Sequence, residues 1–118
     1  MTPGGGVDLL SELLDRLRGI DGLTEGASRF GPGPAFWCRG REVAHLDDDG
    51  GPLVLDVRLG RAGIRGRREA LRADPRVTLR PSSSADWLQI AVHEPEDLDA
   101  AAALVAGAVA GYGRWPSR

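Results

Sequence analysis

The chain has 118 residues, 42% hydrophobic and 27% charged, with 17 Gly, 8 Pro and a formal net charge of -2. That length suits one domain over residues 1–118, a single core between two packed layers, and excludes a large two-domain enzyme. No apolar run approaches the roughly 20 residues that cross a bilayer, Met1–Val7 is too polar and glycine-rich for a secretory signal, and the single cysteine, Cys38, excludes an internal disulfide or a cysteine zinc cluster.

Val7, Leu10, Leu14 and Leu17 recur at spacings of three and four, predicting an amphipathic helix over residues 7 to about 19 with Asp8, Glu12 and Asp15 on its polar face. Residues 1–6 before it read as a flexible terminus. From Asp21 to Pro34 the glycines and prolines break both periodicities and predict a connecting loop. Ala35–Arg39 and Arg41–Leu46 read as two strands of a hairpin turning at Arg39-Gly40. The acidic, glycine-rich run Asp47–Pro52 is a second turn. Leu53–Leu59 then alternates, with Leu53, Leu55, Val57 and Leu59 on one face and Asp56 and Arg58 on the other. Arg61–Ala73 is expected to be a helix weakened by Gly63 and Gly66. Val77–Arg80 is a short strand and Pro81–Ala85 a turn. Asp86–His93 alternates again, with Leu88, Ile90 and Val92 inward. Pro95 and the carboxylates around it open a last helix that runs to about Ala110, ahead of a flexible 113–118. The predicted order α-β-β-β-α-β-β-α implies an α+β two-layer sandwich, a mainly antiparallel sheet with helices packed on one face.

The segment Arg41-Glu42-Val43-Ala44-His45-Leu46, the acidic glycine turn after it and the strand Pro52–Leu59 resemble the small luciferase-domain family of bacterial and fungal proteins over roughly residues 28–112. Arg41, Glu42 and His45 match position by position. The Gly-Trp-Gly-Glu-Arg-His-Pro segment of many relatives is absent, Ala73–Val77 standing in its place, so no second histidine is carried over. The order of elements is also similar to the MmcQ/YjbR group and to frataxin-like folds. The resemblance implies a fold and not an activity.

Charge is unevenly distributed. All 15 basic residues are Arg, as a G+C-rich coding sequence would give. Eight of them fall between residues 58 and 80 against Glu69 and Asp74, so that window carries +6 between acidic flanks. Arg61, Arg65, Arg68 and Arg72 form the candidate anion patch, weighed against a solvated helix face. Nucleic acid is the less favoured partner because the window has no interleaved aromatics.

The second candidate is the sheet face away from the helices, where Trp37, Arg39, Arg58 and Trp87 combine indoles with guanidiniums and, with Arg41 and His45, make a ligand platform. A homodimer contact would use the same residues, since interface cores are rich in Trp and Arg. His45 shares strand parity with Arg41 and Val43, and Cys38 lies across the hairpin without a motif that makes the two a catalytic pair. The acidic triplet Asp8, Glu12, Asp15 and the run Asp47–Asp49 fit ordinary surface helix and turn chemistry better than metal sites. The expectation is a cytoplasmic, non-enzymatic binding module for an anionic small molecule or an acidic protein partner, with no cofactor, metal or membrane. The alternatives are a small enzyme acting on an anionic substrate through His45, and a nucleic-acid-binding protein.

Overall fold

Why the apolar residues alternate as they do is visible in a computed structural model that describes residues 8–46, 52–79 and 86–112. The elements are α1 (Leu9–Arg18), β1 (Thr24–Ala27), β2 (Pro34–Cys38), β3 (Arg41–Leu46), β4 (Val54–Arg58), α2 (Arg61–Gly66), α3 (Arg68–Ala73), β5 (Val77–Leu79), β6 (Trp87–Ala91) and α4 (Glu96–Ala110). The strands form one six-stranded sheet in the order β1-β2-β3-β4-β6-β5. Every neighbouring pair is antiparallel.

The expected α+β arrangement is present. Leu55 and Val57 of β4 stand opposite Ile90 and Leu88 of β6, and Ala44 and Leu46 of β3 opposite Val57 and Leu55. These side chains share one face and pack with Leu13 and Leu17 of α1 and Leu98, Ala101, Val105 and Ala108 of α4 in a single core. Burying each large aliphatic here contributes about 1.5–3 kcal/mol. Asp8 caps α1 by accepting from the Leu10 and Ser11 amides at 3.1 and 3.3 Å. Asp97 does comparable work at the entry to α4: its Oδ2 accepts from the His93 and Glu94 amides at 2.9 and 3.0 Å, and its Oδ1 from Arg76 Nη1 at 3.0 Å. Arg76 also binds Asp74, at 2.8 Å, so the start of α4 is tied to the segment entering β5. No helix is long and apolar enough to cross a membrane among the described residues.

Two expectations are corrected. The glycine-rich connection over 21–34 contains a strand, β1, paired with β2 through Thr24 opposite Trp37 and Gly26 opposite Ala35. All four of its residues are exposed, so no apolar alternation marks it. The helix expected over 61–73 is two helices separated at Arg67, whose φ of -122° leaves the helical range directly after Gly66. The turns over 47–51 and 81–85, Arg80, and the termini 1–6 and 113–118 lie outside the described residues.

Candidate functional site

The site grows from the β2–β3 hairpin. Arg39 and Gly40 have φ of 52° and 85°, the paired positive values of the tight turn that matches strand twist. Glycine adopts such a backbone freely, and a Cβ at Gly40 would meet nothing within 4 Å. The turn is thus fixed by backbone conformation and not by packing, leaving the Arg39 side chain exposed.

Further along β3 the pairing slips. Phe36 stands opposite Ala44 but Trp37 stands opposite Glu42, which leaves Val43 without a partner in a β-bulge. In a regular strand, residues three apart face opposite sides of the sheet. The bulge instead turns Glu42 and His45 to the same side, the one away from the helices, where His45 also stands opposite Asp56 of β4.

These three side chains meet. His45 Nδ1 lies 3.0 Å from Glu42 Oε2 and Nε2 lies 3.1 Å from Asp56 Oδ2, and both carboxylates are 2% exposed. Both ring nitrogens donate at once only in the doubly protonated ring. A ring carrying both protons would have a buried carboxylate beside each nitrogen. Glu42 is further occupied: Oε2 accepts from Ser28 Oγ at 2.5 Å and Oε1 from the Arg29 amide at 2.7 Å. The Ser28 oxygen in turn accepts from the Phe30 amide at 3.0 Å. Glu42 thereby fixes the loop after β1, and that loop lays the Phe30 ring over the site. Phe30 lies 5.5 Å from His45 and, edge to face, 5.5 Å from Trp87; His45 and Trp87 are 5.1 Å apart.

Beside this cluster is a cleft of about 260 Å³ lined by Arg29, Phe30, Arg39, Arg41, Glu42, Arg58 and Tyr112, with Gly40 at its rim. The Arg39 and Arg41 guanidiniums sit 5.5 and 5.7 Å from the centre of the Tyr112 ring. The Tyr112 hydroxyl donates to the Arg39 carbonyl at 3.3 Å, joining the end of α4 to the hairpin. Arg58 is held by Asp86 at 3.2 Å. A second cavity of about 250 Å³ lies between α2 and the end of α4. Its lining is Leu59, Ala62, four glycines and Arg67, so few polar groups converge there.

No family model, curated protein or solved structure matches this chain.

Of the residues singled out in the sequence, Arg39, Arg41 and Arg58 are brought together in the cleft, and His45 and Trp87 pack side by side beneath Phe30. Trp37 stands apart. Its indole donates to the Ala27 carbonyl at 3.1 Å and covers Gly26 of the edge strand, so the two indoles do not form the joint platform expected. The parity assigned to His45 is also corrected, because the bulge places it with Glu42. Cys38 is buried opposite Arg41 and not opposite His45. Arg61, Arg65, Arg68 and Arg72 are exposed on α2 and α3, in the helical layer and outside the cleft lining. Arg61 reaches Asp86 at 3.8 Å. In the acidic triplet, Asp8 serves as the α1 cap and Asp15 pairs with Arg18 at 3.2 Å. Sequence reasoning missed Arg29, Phe30, Tyr112 and the roles of Glu42 and Asp56. The signal for Glu42 was its burial-prone place in β3, three residues before His45 and beside Val43 and Ala44.

Proposed function

We propose that this protein is a non-enzymatic binding module whose cleft at the hairpin end of the open sheet face receives a small anionic molecule. The observation that carries this reading is the convergence of Arg29, Arg39, Arg41 and Arg58 with Phe30 and Tyr112 around about 260 Å³. Guanidiniums give anions directional, paired hydrogen bonds, and aromatic rings hold their planes in place. The volume lies just below the roughly 300–1,000 Å³ of most small-molecule pockets, which favours a small ligand over a protein surface. The arginine-flanked segment that resembles the luciferase-domain family, Arg41 to His45, supplies one wall of the cleft and the buried imidazole beside it.

The binding reading is favoured over the enzymatic one by His45 itself. A general base must present a nitrogen to its substrate, and both nitrogens here face carboxylates at 3.0 and 3.1 Å. The test is thermal unfolding of the full chain at low ionic strength with inorganic phosphate, sulfate or citrate. Saturation by one of these stabilises the folded state by about 2.7 kcal/mol at a hundredfold excess over Kd. Arg39→Ala abolishes the shift, whereas the double variant R65A/R68A on the helical layer preserves it. No stabilisation by any small anion, or a shift that survives Arg39→Ala and disappears in R65A/R68A, refutes the assignment.

A further inference from the structure

Resting on the cleft reading above, we infer that the ligand joins a planar ring to a doubly charged head: a small aromatic phosphomonoester. The ring follows from Phe30. It is 65% exposed, one of two large exposed hydrophobic side chains among the described residues. An exposed phenyl ring ordinarily gains little from being held still. Here the loop is fixed by hydrogen bonds from Ser28 and the Arg29 amide to the buried Glu42, and the ring is set against His45 and Trp87. One part of the ring is anchored while the remainder lines the cleft. That is a stacking surface whose ordering is complete before a ligand arrives, which lowers the entropic penalty of binding.

The doubly charged head follows from the number and arrangement of the cations. A carboxylate is satisfied by one guanidinium fork, whereas a phosphomonoester presents three oxygens and two negative charges that engage several. Arg39 and Arg41 both stand over the Tyr112 ring, at 5.5 and 5.7 Å, so two guanidiniums border the same part of the cleft. Among the described residues no ion pair engages Arg29 or Arg39. The volume of about 260 Å³ suits one ring and one head, and not a dinucleotide or a polymer.

Isothermal titration of the full chain with phenyl phosphate, inorganic phosphate, benzoate and phenol separates the parts. Phenyl phosphate is expected to bind about tenfold or more tighter than inorganic phosphate, the gain that aromatic stacking gives, and tighter than benzoate through its second charge and third oxygen, with phenol not binding measurably. Phe30→Ala weakens phenyl phosphate about tenfold more than it weakens inorganic phosphate, so the advantage of the ring is lost. Phe30→Tyr keeps that advantage, and Phe30→Leu, which preserves bulk without an aromatic face, loses most of it. Equal affinity for phenyl phosphate and inorganic phosphate overturns the ring while the anion-binding reading stands. Benzoate binding as tightly as phenyl phosphate overturns the phosphomonoester. Failure of both phosphates to bind overturns this inference, and failure of benzoate, sulfate and citrate as well overturns the proposed function with it.

Discussion

Replacing His45 with Ala removes the ring that lies between two carboxylates each 2% exposed, and tests whether that ring is their shared counter-charge. At an effective dielectric of about 20, an ion pair separated by about 3 Å attracts by about 5 kcal/mol, and desolvation offsets much of it. Breaking a buried pair by deleting one partner costs about 3–5 kcal/mol, because the remaining charge stays buried without its counter-ion. Against a total stability on the order of 5–15 kcal/mol, that loss lowers the unfolding midpoint by roughly 10–20 °C. Urea unfolding at pH 7 is the assay, with the slope m unchanged so that the loss belongs to the native state. The triple variant E42Q/H45A/D56N, which leaves no charge at the three positions, is expected to regain most of the stability that H45A loses. A loss below about 1 kcal/mol in H45A refutes the buried ion-pair account. A triple variant no better than H45A shows that a packing void, and not unpaired charge, is responsible.

Further outcomes concern the frame around the site. Asp97→Asn weakens the bonds that open α4 and should cost about 2–4 kcal/mol at pH 7 by chemical denaturation. The acid dependence has a definite sign. The bond from the His93 amide, helped by Arg76 and the Glu94 amide, holds the Asp97 carboxyl below its ordinary 3.8, and Arg76 does the same for Asp74. Their contribution is complete above the unfolded-state value and fades as pH falls through the folded one, so the gap between wild type and D97N narrows only below about pH 4. Gly40→Ala, which meets no atom but must hold φ at 85°, should cost about 1–2 kcal/mol, read as a shifted urea midpoint. Gly107→Ala brings a Cβ to 2.8 Å from Arg67 Nη1. The end of that exposed side chain can swing away, and the helix gains up to about 1 kcal/mol, so thermal unfolding should show no loss.

What the sequence made legible follows from which forces act locally. The alternation at Leu55, Val57, Leu88 and Ile90 and the Arg39-Gly40 turn are written in neighbouring residues, and the structure places them accordingly. β1 exists through pairing with β2 and has no buried side chain of its own, so its glycine and its proline-flanked surroundings read as loop. Gly63 and Gly66 weakened the middle helix visibly, but the sequence did not locate the break at Arg67, on either side of which Ile64 and Leu71 are buried. The Glu42–His45–Asp56 cluster needed a register shift, and register is a property of two strands together. Phe30 came from the loop that Glu42 orders, and Tyr112 from the far end of the chain. The sheet face was foreseeable; the cleft was not, because it is closed by residues distant in sequence.

The sheet ends in its two shortest strands, β1 with four residues and β5 with three. On β1 the middle of the strand carries Glu25, clasped by Arg18 at 2.7 Å, followed by Gly26. A foreign strand arriving at this border meets a ladder too brief to hold it and a charged pair that it would have to displace, a common defence against edge-to-edge aggregation. Association of copies through continuous β-pairing is therefore disfavoured at β1, and at crowded concentrations this border should remain a boundary and not a seed.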